Sequence, residues 1–426
     1  MTAGHPDPRL VELTVERPVA GGRMLARLDG RVVFVAGAIP GERVRAVITR
    51  RSGQVAFADT RDVLEASPDR REPSTDPRCG GALYAHIQYD RQRALKAEVV
   101  ADAFRRIAKR PLDGPVAVLP SPEAGYRVRA RLHVQGTRAG FLLEGSHVLC
   151  DAEATHQLGP GAFEAVGRLR ETLGPAFGLC ASVVVSENLA GTDRVALCEL
   201  RPGADPSKFS GLPLTEGLTG VSVLARQGMF TCAGQDRIVD GVRALLGTEG
   251  TLHWSRQAAS FFQGNRFLVG ALVQQVLDAA VGDRFADLYA GIGLFAVALA
   301  DRGATGLAVE GDATSGQDLA GNAEQAGGRL SVHLGPVEEV VATVPGRVPG
   351  VVVVDPPRTG LSSEVVDGLM AWRAPRIVYV SCDAPTLARD AARCLAAGYT
   401  LTSLNALDMF PNTPHVECVA VFNRAT

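Results

Sequence analysis

From residue 10 to about 66 short β-rich runs alternate with turn residues. The runs are Val11–Val15, Met24–Leu28, Val32–Val35, Val44–Ile48 and Val55–Asp59. Asp29-Gly30 is a hairpin signal, since both turn positions need positive φ, and Gly21-Gly22 and Pro40-Gly41 are further breaks. Five short strands in so few residues predict a small barrel of OB-like type, an architecture that commonly holds nucleic acid. A purely structural β-cap fits the same pattern. A breaker cluster, Ser67-Pro68, Pro73 and Asp76-Pro77, then predicts a loop through Gly81. Next comes a helix over residues 91–110: Leu95, Val99, Ala103 and Ile107 recur at i+4, and Val100 and Phe104 widen the stripe. Its other face carries Arg91, Arg93, Lys96, Arg105, Arg106, Lys109 and Arg110, which fits phosphate contact or a solvated face.

Mixed strand and turn signals run from Pro120 to about Gly250, opening on the alternation Tyr126–Leu132. The last 175 or so residues alternate strand and helix. The expected elements are Phe285–Leu288, a helix from Leu294, Gly306–Val309, a helix around Asp318–Ala326, and Val351–Val354. A helix near Ser363–Trp372, Ile377–Val380, a helix through Thr386–Ala397 and a strand around Cys418–Phe422 complete the series. Such alternation predicts a doubly wound α/β sheet, whose ligands bind beyond the carboxyl ends of the strands. Three units follow: a barrel over 1–66, a mixed β-rich middle domain over 67–250 and the α/β sheet over 251–426, with the basic helix at 91–110 placed to pack on the last.

Composition changes this picture little. Apolar residues at 46% and charged residues at 21% are ordinary globular values, and 47 glycines without a repeat exclude a collagen-like chain. Charge changes it more. Residues 1–140 carry 24 Arg/Lys against 16 Asp/Glu, and the remainder 20 against 30, so polyanion binding is expected at the front. With Lys96, Lys109 and Lys208 the only lysines, a general arginine bias is the competing explanation. Met1–Leu10 is polar with two prolines, so no leader is expected, and no uncharged apolar run approaches the roughly 18 residues of a membrane span. Eight scattered cysteines without a CxxC pair argue against a disulfide framework and a zinc site. A cytoplasmic monomer with reduced thiols and no bound metal is expected.

Candidate chemistry lies at the strand ends. Asp287-Leu-Tyr289-Ala-Gly291-Ile-Gly293-Leu-Phe-Ala296 joins a strand to a helix, where glycines admit a ligand close to the backbone. Glu310 ends the next strand, about where a carboxylate accepts hydrogen bonds from ribose hydroxyls. The run satisfies the loose G-x-G-x-x-A dinucleotide pattern, so a NAD-dependent oxidoreductase competes; Asp287 favours a cationic ligand such as S-adenosylmethionine over a pyrophosphate. Val351–Val354 runs into Asp355-Pro356-Pro357-Arg358, and the prolines force a turn that leaves Asp355 at the rim. Arg358, where amino-group methyltransferases usually have an aromatic residue, counts against adenine-N6 chemistry.

Cys382 ends the strand Ile377–Val380-Ser381 just before a helix, and a helix N-terminus lowers a thiol pKa. Glu417, before the final strand, is the candidate proton-handling partner, with His415 as rival. Carbon 5 of a pyrimidine is a poor nucleophile until a thiolate adds to carbon 6. The resulting enolate can attack a sulfonium methyl group, and a base then removes the carbon-5 proton so that the thiol is expelled. Cys382, Glu417 and Asp355 supply a thiol, a base and a group to orient the pyrimidine.

In these blocks the chain resembles the RNA uracil-5 methyltransferase family. The similar stretches are Phe261-Phe262-Gln263-Gly264-Asn265, Asp287–Phe295, Val309-Glu310-Gly311, Asp355–Arg358, Val380-Ser381-Cys382 with Thr386–Asp390, and Asp408–Pro411 through Glu417. The resemblance implies a class I methyltransferase sheet behind an N-terminal TRAM domain, an RNA-binding module. It implies S-adenosylmethionine as donor, Cys382 as nucleophile and Glu417 as base, with Gln263, Tyr289, Glu310 and Asp355 matching positions assigned to donor or pyrimidine. Many members hold a [4Fe–4S] cluster through four cysteines. Here those positions read Pro73, Cys79, Ala82 and Thr155, so no iron–sulfur cluster is expected. Leu294 replaces an often polar donor contact. The expected substrate is a uridine in a structured loop of ribosomal or transfer RNA, where an unstacked base is cheapest to extract. Cytidine modification by the same route, and an RNA-binding factor with a vestigial catalytic fold, are the alternatives.

Overall fold

A computed structural model describes residues 10–424, so the reading of the first nine residues lies outside the described part. Strands Leu10–Pro18, Met24–Leu28, Arg31–Ala36, Arg43–Ser52 and Val55–Glu65 close into a barrel. Asp29 and Gly30 take φ of 49° and 77°, which makes the hairpin a tight one. Alternation fills the interior: Leu13, Val15, Val33, Val35, Val44, Ala46, Ala56 and Ala58 point inward. The last two strands outrun their expected bounds because register shifts along Arg43–Ser52 let that strand bend while it stays paired.

The helix after the linker is Tyr89–Arg106. Its Val100, Ala103 and Phe104 share a core with Leu387, Ala388 and Ala391, and Val118–Leu119 adds an edge strand beside Tyr399–Leu407. The stretch drawn as a 67–250 unit therefore supplies a helix and a strand to the C-terminal layer. Lys96 is not on the solvated face where the sequence reading put it. Its ammonium is fully buried and paired with Asp408, also buried, and it donates to the Phe410 carbonyl at 3.1 Å. A lysine counted as polar in a helical pattern is misplaced when its counter-ion arrives from far along the chain.

The middle region is built on a seven-stranded sheet in the order Gly228–Gly234, Gly220–Ala225, Arg194–Leu200, Cys180–Glu187, Arg129–Gln135, Arg138–Leu142, Leu149–Cys150. Here the expectation of wholly reduced thiols is corrected: Cys79 and Cys150 form a disulfide. The linker turn lies along the hairpin, Gly80 N–H donating to Leu142 O at 3.1 Å and Glu144 N–H to Arg78 O at 2.7 Å. That brings the two Cα atoms to 5.8 Å, within bridging range. Gln157 packs the same turn, its amide donating to Gly80 O and to Thr155 Oγ1.

The C-terminal sheet runs Leu330–Leu334, Thr305–Glu310, Arg284–Leu288, Val351–Val354, Arg376–Ser381, Glu417–Arg424, Tyr399–Leu407, Val118–Leu119. Its first five strands are parallel, and the central ones, Arg284–Leu288, Val351–Val354 and Arg376–Ser381, are almost wholly buried and near-continuously apolar, as strands covered on both faces must be. Helices Val269–Ala279, Leu294–Asp301 and Ala313–Ala323 cover one face; Val337–Val341, Ser363–Trp372 and Ala384–Ala396 cover the other. The helix expected around Asp318–Ala326 begins earlier because the Asp312 side chain caps it, accepting from Ser315 N–H. Among the described residues no helix is long and apolar enough to cross a membrane.

Candidate active site

Register brings the strand ends level: Leu288 pairs with Val309 on one side and Val354 on the other, and Val354 pairs with Tyr379. The residues just beyond, Tyr289, Glu310, Asp355 and Cys382, therefore share one rim. The final strand runs antiparallel with Ser381 opposite Cys418, which sets Glu417 across from Cys382. Two strands of opposite direction thus deliver a thiol and a carboxyl to one point.

The glycine turn is held from beneath. Gly293 caps the helix Leu294–Asp301 at φ 87°, and a Cβ there would stand 2.8 Å from Leu319 Cδ1, so only glycine fits. Asp287 Oδ2 accepts from Ala296 N–H at 3.0 Å while Oδ1 is buried without a partner. Glu310 accepts from Gly291 N–H at 2.8 Å and from Asp312 N–H at 2.6 Å. Gln263, buried, donates to Asp355 Oδ2 at 3.0 Å. Its loop is fixed by Arg129, which donates to the carbonyls of Ala258 and Ala259, and by Asn265, which donates to Ser121 Oγ and Met409 O.

Three carboxyl groups crowd one glycine turn, and their proximity and burial disfavour their charged forms. Burial, with the charges of Asp355 and Glu310, pushes Asp287 well above the usual carboxylate range. Burial also pushes Asp355 up to about 7, with the Gln263 hydrogen bond working against it and Glu310 adding to it. Glu417 is held well above the ordinary range by burial and by Asp355, while Arg358 pulls it down.

The expectation that a helix end lowers the Cys382 thiol is reversed. Burial and the Glu417 charge push it up to about 11, and Arg358, which reaches it by hydrogen bond and by charge, only partly opposes them. Arg358 is the residue the sequence reading missed, having been weighed only for the substrate it excluded. Its signal was present: a cation three positions after Asp355, beyond a rigid diproline at the same rim. His415 is not a competitive base. Burial and the neighbouring Arg358 push it down to about 4, and its ring lies 3.3 Å from the Arg358 guanidinium. Leu294 is buried, its side chain packed into the core.

Of the nominated residues, Asp287, Gly291, Gly293, Glu310, Asp355, Gln263, Cys382 and Glu417 come together at the rim. Tyr289, at the same rim with φ 65°, also lines a cavity of about 550 Å³ with Glu338, Pro357, Leu361 and Arg389. Among the described residues no cluster of three or more His, Cys, Asp or Glu side chains is arranged to hold a metal.

Residues 348–425 match the model of the tRNA (uracil-5-)-methyltransferases, and residues 9–60 match the TRAM domain. An RNA methyltransferase of Streptomyces avermitilis without an assigned target is 34% identical over 96% of this chain and 97% of its own. The 23S rRNA (uracil(1939)-C(5))-methyltransferase of Pseudomonas putida is 31% identical over 96% of this chain and 93% of its own. That of Methylococcus capsulatus is 33% identical over 95% and 94%. A solved tRNA (uracil-54, C5)-methyltransferase of Pyrococcus abyssi superimposes with a TM-score of 0.75 at 24% identity, over 96% of this chain and 99% of its own, and shows the same fold.

Proposed function

The chain belongs to the RNA (uracil-5-)methyltransferase family, and on that premise we propose that it methylates carbon 5 of a uridine in ribosomal RNA with S-adenosylmethionine as donor. The observation that carries the reading is Cys382 set across from Glu417, with Arg358 acting on both and Asp355 at the same rim. Relatives matched end to end act on 23S rRNA, which puts ribosomal ahead of transfer RNA.

When bound, S-adenosylmethionine supplies an electrophilic methyl group on a sulfonium. The residues present fit such a cation. Asp287, Glu310 and Asp355 crowd negative charge that a cationic ligand relieves and a pyrophosphate would aggravate. Glu310 would take the ribose, leaving the glycine turn to pass beneath it.

Arg358 favours the Cys382 thiolate, which adds to carbon 6 of the uracil. Carbon 5 of the resulting enolate takes the methyl group. Glu417 then takes the carbon-5 proton, the carbon–sulfur bond breaks and the thiolate leaves with the electron pair. Burial makes Glu417 a stronger base than a surface carboxylate, which suits removal of a carbon-bound proton. Asp355, held by Gln263, orients the edge of the ring.

The test is nucleoside mass spectrometry of ribosomal and transfer RNA from a strain lacking the protein. Loss of 5-methyluridine from one RNA, restored by wild type and not by Cys382→Ala, is expected. Unchanged 5-methyluridine with loss of 5-methylcytidine would move the activity to cytidine.

A further inference from the structure

We propose that Asn322, buried behind the catalytic rim, is a positioning residue that fixes the glycine turn of the donor site against the strand leading to Gln263. The proposal rests on the methyl transfer inferred above and adds to it the part that aligns the two substrates. On that reading the donor side is the turn Gly291–Gly293 with Glu310, and the pyrimidine side is Gln263 with Asp355. Methyl transfer needs its reacting atoms about 3–3.5 Å apart and in line. The spacing between the two sides therefore matters as much as either side alone.

The strand His253–Gln257 pairs with Arg237–Gly241 along one edge. Its other edge is met by side chains from the helix Ala313–Ala323 and the turn after it. Gln257 N–H donates to Asp318 Oδ2 at 2.9 Å, Ser255 N–H to Asn322 Oδ1 at 2.8 Å, and His253 N–H to Gln325 Oε1 at 3.0 Å. The amides of Asn322 and Gln325 donate back to the carbonyls of Ser255 and His253 at 3.0 and 2.8 Å. Four helical residues rise about 6 Å and two strand residues about 6.6 Å, so one helix face matches alternate strand positions. The helix stands in for a missing strand.

Of these three side chains, Asn322 also reaches the glycine turn, donating to Ile292 O at 2.9 Å. One side chain thus serves an N–H and two carbonyls, which takes two donors and an acceptor on a single short group, as an amide provides. An aspartate would set a carboxylate against two buried carbonyls, and an apolar residue would leave three buried polar groups unpaired. Trp254, buried on the same strand, makes a second tie to the turn, donating from Nε1 to Gly293 O at 3.3 Å. Beyond Gln257 the chain is fixed again: Ser260 Oγ donates to Asp318 Oδ2 at 2.5 Å, and the Arg256 guanidinium lies 3.9 Å from the Phe262 centroid. Gln263 comes next. Glycine turn and Gln263 are fastened to one strand, and Asn322 is the junction.

The test is Asn322→Ala in the full-length protein, with steady-state kinetics on ribosomal RNA from a strain lacking the enzyme and S-adenosylhomocysteine binding by calorimetry. The kcat should fall about 10- to 100-fold, the scale for misplacing reacting atoms by up to about 1 Å. Affinity and stoichiometry for S-adenosylhomocysteine, and KM for RNA, should stay within about threefold of wild type, as expected when alignment and not binding is lost. Two further variants separate alignment from folding. Trp254→Phe keeps a ring in the core and removes the tie to Gly293 O; its kcat should fall about 2- to 13-fold, the scale for one neutral hydrogen bond. Gln325→Ala removes a rung of the same ladder that does not touch the turn, and its kcat should be that of wild type. If Asn322→Ala does not fold, Trp254→Phe against Gln325→Ala decides by the same readouts. Wild-type kcat in Asn322→Ala and Trp254→Phe would overturn the proposal. So would a fall in kcat matched by lost S-adenosylhomocysteine stoichiometry, or an equal fall in Gln325→Ala, since the role would then be structural. A wild-type enzyme that forms no 5-methyluridine would overturn the functional reading, and the proposal with it; altered behaviour confined to the variants leaves that reading standing.

Discussion

The catalytic rim and the barrel both gather charge, but they hold it in opposite ways. At the rim Asp287 and Glu417 are buried almost completely and Asp355 largely, so their charged forms are disfavoured until a partner of opposite sign is present. On the barrel Arg43, Arg45, Glu12, Asp62 and Glu65 form ion pairs open to water. Desolvated charges interact strongly and are tuned by each neighbour; exposed ones are screened by salt and almost independent. One region is therefore built for chemistry at a single point, and in the other each charge contributes little on its own. Deleting one group should be decisive in the first and marginal in the second.

The largest effect expected is at the nucleophile. Cys382→Ala should lower methyl transfer by at least about 10⁴-fold, as loss of a covalent nucleophile does elsewhere, while RNA affinity by anisotropy stays at wild type. A variant that loses affinity instead would show that rim and barrel are not separable. Glu417→Gln should cost about 10²–10⁴-fold in turnover, the range for a positioned base. It should also accumulate an RNA–protein adduct that survives denaturing electrophoresis, because methylated carbon 5 keeps its proton and the thiol cannot leave.

Buried and exposed pairs give the same contrast in stability. Asp408→Ala leaves the Lys96 ammonium buried without its counter-ion and should cost about 3–5 kcal/mol in chemical denaturation. Arg358→Ala removes the cation nearest Cys382. The thiol, already pushed up to about 11, then rises further. Activity at neutral pH should fall by about tenfold, because less of the thiol is ionised. It should recover as pH rises, because the reactive form is the thiolate. The smallest effect belongs to the barrel. Arg45→Ala breaks pairs with Glu12 and Asp62, yet should change stability by no more than about 0.5 kcal/mol.

What was legible in the sequence follows the same division. The barrel was readable because its signals are local: a two-residue Asp29-Gly30 turn and inward alternation. The strands Val351–Val354 and Arg376–Ser381 were readable as apolar runs that end in polar residues. Strands Leu330–Leu334 and Tyr399–Leu407 went unpredicted because each is largely exposed, and Thr400, Thr402, Ser403 and Asn405 blur the pattern. The Cys79–Cys150 bridge, separated by 71 residues, and the Lys96–Asp408 pair, separated by 312, are long-range contacts that no spacing rule reaches. At the site, residue identities could be read but not their ionisation. A helix end predicts a lowered Cys382 thiol, and only the burial and the Glu417 carboxyl seen in three dimensions show why it is raised.

The most direct test of the proposed chemistry is to trap the adduct. Ribosomal RNA transcribed with 5-fluorouridine, which has no carbon-5 proton to surrender, is incubated with the enzyme and S-adenosylmethionine, then digested with trypsin and nuclease. The peptide Ile377–Arg389 is expected to carry a methylated fluorouridine on Cys382. The same modification on another cysteine, or none while ordinary RNA gains 5-methyluridine under the same conditions, would contradict Cys382 as the nucleophile.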